Sequence, residues 1–138
     1  MFFNKKEDNN QESDFIKVGA LLIHTAKIDE NYSIEEENII KKTLLSLGAD
    51  NNNLDTLIEK AKMCEEDSNQ ILDFTREIKN LDETNKIRII KSLWKIIYSN
   101  NDADIYETNL MRRLAGLLYI DSKIMGDIKE EIKKENLK

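Results

Sequence analysis

The sequence has no proline and only four glycines. Breakers this scarce favour long helical runs over the turn-rich chemistry of an all-β fold. It has one cysteine, Cys64, so neither an intrachain disulfide nor a cysteine cluster for zinc can form. A reducing cytoplasm is the expected location. No apolar run approaches the roughly 20 residues that cross a bilayer, so no transmembrane segment is expected. Met1-Phe2-Phe3 runs directly into Asn4-Lys5-Lys6-Glu7-Asp8, without the apolar core and small-residue cleavage site of a secretory signal. Glycine-rich phosphate loops, zinc-ligand clusters and nucleophile motifs are all missing, and the chain is not expected to be an enzyme.

Charge of one sign is also short. The chain carries 21 Lys and Arg against 27 Asp and Glu, for a formal charge of −6. An acidic balance opposes binding to nucleic acid or anionic lipid, either of which needs a basic face. The basic pairs Lys41-Lys42, Arg112-Arg113 and Lys133-Lys134 read as solvated helix faces, with ion pairs as the expected use of Arg112 and Arg113. The partners compatible with such a surface are cations or another protein.

What remains is the pattern of a soluble all-α bundle. At 138 residues, 40% of them hydrophobic, the chain can bury one continuous core. Residues 1–13 are polar and read as a flexible tail, leaving 14–138 as a single helical domain. Helix one is predicted from about Asp14 to Ile28, capped by Ser13 or Asp14, with Phe15, Val18, Leu22 and Ala26 at helical spacing and further apolar residues around most of its circumference. Helix two runs from Ile34 to Leu47, stopped by Gly48, and helix three from Leu54 to about Asp67. A short helix four covers about Asn69 to Asn80, helix five about Asp82 to Tyr98, helix six begins after Asp104, and helix seven after Asp121 or Ser122. Sustained period-two alternation is absent, so no sheet is expected. Helices one and five are both broadly apolar and are predicted to pack together as the central pair.

Two segments look like copies of one helix–acidic loop–helix unit. Asn100, Asp104 and Glu107 follow Asp29, Ser33 and Glu36 by 71 positions each. The first loop offers Asp29, Glu30, Asn31, Ser33 and Glu36; the second offers Asn100, Asn101, Asp102, Asp104 and Glu107. Hard divalent cations such as calcium, magnesium and manganese take oxygen ligands of this kind. An EF-hand needs a loop of about 12 residues with a central glycine and a terminal bidentate Glu. Asp29 to Glu36 spans eight positions and neither loop has a glycine, so these are not EF-hands. The same residues have a second reading. Ser33 with Glu36, and Asp104 with Glu107, are spaced as capping boxes, while Asp29 and Asn100 favour a turn at the end of the preceding helix.

The order of elements, the paired loops and the stretches Leu93-Trp94-Lys95-Ile96-Ile97-Tyr98 and Asp104-Ile105-Tyr106-Glu107 followed by Asn109-Leu110-Met111-Arg112-Arg113-Leu114-Ala115 resemble the TerB-like family, the tellurite-resistance TerB proteins, over about residues 15–135. Family loops tend to read Ala-Asp-Gly, two variable or apolar residues, then Asp-x-x-Glu. Here Glu30 replaces the glycine and Ser33 the second acid of loop one; Asn100 and Asn101 replace the first acid and glycine of loop two. The resemblance implies an all-helical bundle of about seven helices with two pseudo-repeated units. It also implies a non-enzymatic role in metal or oxidative stress, and a divalent cation held by Asp29, Glu36, Asn100, Asp104 and Glu107. The alternative is a metal-free protein-interaction module in which those residues are only caps.

Three further side chains stand out. His24, the only histidine, reads as an interhelix or surface residue with a satisfied hydrogen bond, rather than a metal ligand with Asp29 or a general base. Cys64 and Trp94 fall on apolar helix faces and read as core.

Overall fold

A computed structural model describes residues 5–28, 32–68, 70–99 and 105–136. Among these there are seven α-helices and no strand: α1 (Lys5–Ala26), α2 (Ile34–Ser46), α3 (Leu54–Asp67), α4 (Leu72–Ile78), α5 (Glu83–Ser99), α6 (Ile105–Leu117) and α7 (Ser122–Asn136). One 3₁₀ turn, Asn51–Asn53, leads into α3. None of the described helices is long and apolar enough to cross a membrane.

The core is built around α1 and α5. Val18, Ala20, Leu21, Leu22, Ile23 and Ala26 of α1 are each at most 2% exposed, so this stretch is covered on nearly every side. α1 packs on α2, α3, α4 and α5; α5 packs also on α2 and α7, and α6 touches α4 and α7. The expected contact between helices one and five is therefore present. Trp94 is 2% exposed and stacks on Tyr98 with ring centroids 5.9 Å apart, which fits its reading as a core anchor. Cys64 is only half-buried at the edge of the core.

α1 begins nine residues before its expected start, so residues 5–13, read from the sequence as a tail, are helical. The polar stretch shows no apolar period, but side chains at its end are tied down. Glu12 pairs with Lys60 of α3 at 2.5 Å, and the Ser13 hydroxyl donates to Glu77 Oε2 at 3.0 Å. Asp14 sits beside them, and burial, followed by the Glu77 charge, raises its carboxyl above the ordinary range. α4 is shorter than expected, starting at Leu72 rather than Asn69.

Helix two ends as its sequence indicates. Gly48 adopts φ 111°, and the Ala49 N–H reaches back to the Leu44 carbonyl at 3.0 Å. α6 closes with the same bond, Ile120 N–H to the Ala115 carbonyl at 2.9 Å, but places Tyr119 in the left-handed region at φ 58°. Glycine is needed for a different reason at Gly19, where α1 crosses α3: a Cβ there would lie 2.8 Å from the Ala61 Cβ. Gly19→Ala should lower stability by about 1–3 kcal/mol through overpacking, despite its better helix propensity. Urea denaturation would measure it. Adding Ala61→Gly to the same chain should recover part of the loss, and no recovery would place the cost elsewhere.

Candidate functional site

The first interhelix segment is described on both sides of residues 29–31. α1 closes with Lys27 N–H on the Ile23 carbonyl at 3.0 Å and Ile28 N–H on the Thr25 carbonyl at 3.3 Å. On the other side, Ser33 caps α2 from an extended conformation, φ −94° and ψ 164°. Its hydroxyl accepts from the Glu36 N–H at 3.1 Å, and Glu36 Oε1 accepts from the Ser33 N–H at 2.8 Å. The capping box read from the sequence is thus complete, and its carboxylate is only 1% exposed.

Next to it lies an arrangement the sequence reading missed. Tyr32 and Glu37 occupy the positions on either side of the cap where an apolar staple is usual. Here the pair is polar, with the Tyr32 hydroxyl donating to Glu37 Oε1 at 3.3 Å. Lys62 of α3 approaches the same oxygen at 3.1 Å and stands 5.6 Å from the Tyr32 ring centroid; Lys41 reaches Glu37 Oε2 at 3.7 Å. Burial and the surrounding acids, Glu37 foremost, push the Tyr32 phenol well above its usual range. Burial alone would raise Glu37 too, but the Lys62 hydrogen bond and charge, with Lys41, hold it below the usual carboxylate value. The same hydrogen bond to Glu37 raises Lys62. A tyrosine before the cap and an acid four residues after it was the available signal.

In the second segment α5 ends at Ser99, whose hydroxyl donates to the Ile96 carbonyl at 2.6 Å, and α6 starts at Ile105. Glu107 is the third residue of α6, as Glu36 is of α2, and is 5% exposed. Both glutamates proposed as metal ligands are therefore buried at matching positions. Asp29, Asn100 and Asp104, the other three, lie outside the described residues, as do Glu30, Asn31, Asn101 and Asp102. Among the described residues no group of three or more His, Cys, Asp or Glu is close enough to hold a metal. Glu36 and Glu107 supply hard oxygen donors of the kind calcium, magnesium or manganese takes, so their chemistry fits such an ion while the full ligand set is not assembled from described residues alone.

His24 lies between helices as expected. Its Nδ1 is 3.4 Å from Glu65 Oε2, and its ring is tilted on Phe74 at 6.1 Å between centroids. Glu65 also pairs with Lys27 at 2.6 Å, which ties the end of α1 to α3. Arg112 and Arg113 are both exposed, and among the described residues neither makes the ion pairs expected of them.

The family model described as tellurite resistance protein TerB matches residues 15–130 of the chain. No curated protein and no solved structure matches it.

The charge pattern here fixes a pH dependence. Because Glu37 is held low in the folded state, its contribution to stability is present above the unfolded value of about 4.3 and is lost as pH falls through the lower folded value. Lys62→Gln should flatten that acid-side loss in thermal melts recorded from neutral pH downward. A melt profile unchanged in shape would separate Glu37 from Lys62.

Proposed function

Because the chain belongs to the TerB family of tellurite-resistance proteins, we propose that it is a non-enzymatic cytoplasmic module that takes up a divalent cation and acts in metal or oxidative stress. The observation that carries this reading is the burial of Glu36 and Glu107, each at the third position of the helix that follows an acidic loop. Each acidic loop is thus followed by a carboxylate held inside the fold, at the same position in its helix. Asp29, Asn100 and Asp104 are the further ligands in this reading. The residues of the chain would supply only oxygen donors, which suits calcium, magnesium or manganese over softer metals.

A second reading has its own observation. The Ser33–Glu36 box is complete and gives Glu36 a structural task with no ion. At the starts of α2 and α6 stands exposed apolar surface, with Ile34 at 81%, Ile105 at 69% and Tyr106 at 74% exposure, as a helical module that recruits a protein would present.

Glutamine at Glu36 or Glu107 separates the two, because it keeps the capping acceptor and removes the charge. Calcium, magnesium and manganese are titrated into ¹⁵N-labelled protein, with the paramagnetic manganese read as peak broadening. Saturable changes at residues 33–37 and 105–108 are expected, with dissociation constants on the order of millimolar or tighter. Glu107→Gln should weaken binding about tenfold while costing under about 1 kcal/mol of stability. Unmoved amides at millimolar ion would leave the capping reading in possession of both glutamates.

A further inference from the structure

A groove of about 360 Å³ lies between α2 and α5. Each helix contributes one face at helical spacing: Ile39, Lys42, Thr43 and Ser46 from α2, and Arg88, Lys91, Ser92 and Lys95 from α5. Four of these eight residues are cations and none is a carboxylate. In a chain of formal charge −6 this is a local inversion of sign.

The floor explains how the two faces come so close. The Thr43 and Ser92 hydroxyls meet at 2.5 Å across the helix interface, and both residues are buried. Each hydroxyl also lies within hydrogen-bond distance of a carbonyl on its own helix, Thr43 of Ile39 at 2.8 Å and Ser92 of Arg88 at 3.0 Å. Small polar side chains at the contact let the backbones approach, and the long cationic side chains are left to line the rim.

The cations are differently engaged. Arg88 donates through Nη1 to the Ser46 carbonyl at 2.9 Å and to Asn85 Oδ1 at 3.4 Å, and its Nε and Nη2 make no bond among the described residues. Lys91 faces Glu131 of α7 at 3.6 Å. Lys42 and Lys95 form no ion pair among the described residues. The rim therefore holds two lysines and part of a guanidinium available to a ligand, with Lys91 shared.

We propose that this α2–α5 groove binds a small anion carrying two or more linked phosphates, as in pyrophosphate or a nucleoside diphosphate. Lys91 and Lys95 lie about one helical turn apart on α5, and Lys42 faces them from α2. Charges spaced in this way match two linked phosphates better than one. The guanidinium supplies planar, paired donors suited to phosphate oxygens. From Arg88 to Lys95 the cationic face is only about 10 Å long, too short to track a nucleic-acid backbone. The acidic balance of the chain repels a longer polyanion from what surrounds the groove.

The test is a ¹⁵N NMR titration with inorganic pyrophosphate at about 150 mM salt, where diffuse surface attraction is screened. EDTA is present throughout, so the outcome is independent of the cation reading above. Saturable shifts are expected at Ser46, Arg88, Lys91 and Lys95, at least about tenfold tighter than with inorganic monophosphate. Lys42→Gln with Lys95→Gln should weaken pyrophosphate binding at least about tenfold. Lys133→Gln with Lys134→Gln, which removes the same charge from the end of α7, should leave it unchanged. Titration with ADP distinguishes the sources: tighter binding than pyrophosphate at the same residues identifies a nucleotide, and equal binding identifies the phosphates alone. Equal loss in both double variants would overturn the proposal, as would equal affinity for monophosphate. Tighter binding of a single-stranded oligonucleotide at the same residues would overturn it in favour of nucleic acid.

Discussion

The close crossing of α1 over α3 at Gly19 and Ala61 is the constraint on which the rest of the bundle depends. α1 touches four other helices, and between Val18 and Ala26 it has almost no solvent-facing side. A helix buried in this way sets the spacing of its neighbours, because interiors pack without room for an extra methyl group. With α3 drawn close, Glu65 reaches both His24 and Lys27, and Lys62 reaches Glu37. The end of α1 and the start of α2 are thus both tied to α3. The described residues on either side of 29–31 are therefore both held by charge pairs to the same helix.

Local signals in the sequence were legible where a single helix turn decides the outcome. Ser33 with Glu36 specifies a capping box, and Gly48 specifies a left-handed stop, because each acts within four residues of itself. The apolar periods of α1 and α5 marked the central pair for the same reason. The start of α1 was not legible: Lys5 to Ser13 has no apolar stripe, and its visible ties are to Lys60 and Glu77, far along the chain. The α2–α5 groove was hidden more thoroughly. Lys42 read as half of a basic pair on a solvated face, while Arg88, Lys91 and Lys95 are diluted by apolar residues between them. Only the packing of the two helices brings these charges to one place. The Tyr32–Glu37–Lys62 cluster is an intermediate case, because two of its members are local to the cap and the third arrives from α3.

Charge is consequently sorted at a finer scale than net composition conveys. An overall charge of −6 describes the average surface, and an average excludes long basic tracks but not a short groove. Cations on α2 divide between two tasks one residue apart: Lys41 turns toward Glu37 and Asp55, and Lys42 toward the groove. A helix rotates about 100° per residue, so neighbouring lysines serve different faces of one element. Basic pairs of this kind are better read as one residue for each face than as a single patch.

The same geometry sets the character of the proposed cation site. Glu36 and Glu107 stand at helix N-termini, where the aligned peptide dipoles present partial positive charge. That field favours the carboxylates and opposes a cation placed beside them. An ion taken up there must draw its stabilisation from the number of anionic oxygens, since the helices contribute repulsion. Loop one has Asp29 but Ser33 where the second acid would stand, and loop two has Asp104 but Asn100 where the first would stand. Each loop alone therefore offers less negative charge against an unfavourable dipole, so an ion bound in the proposed way would be held weakly.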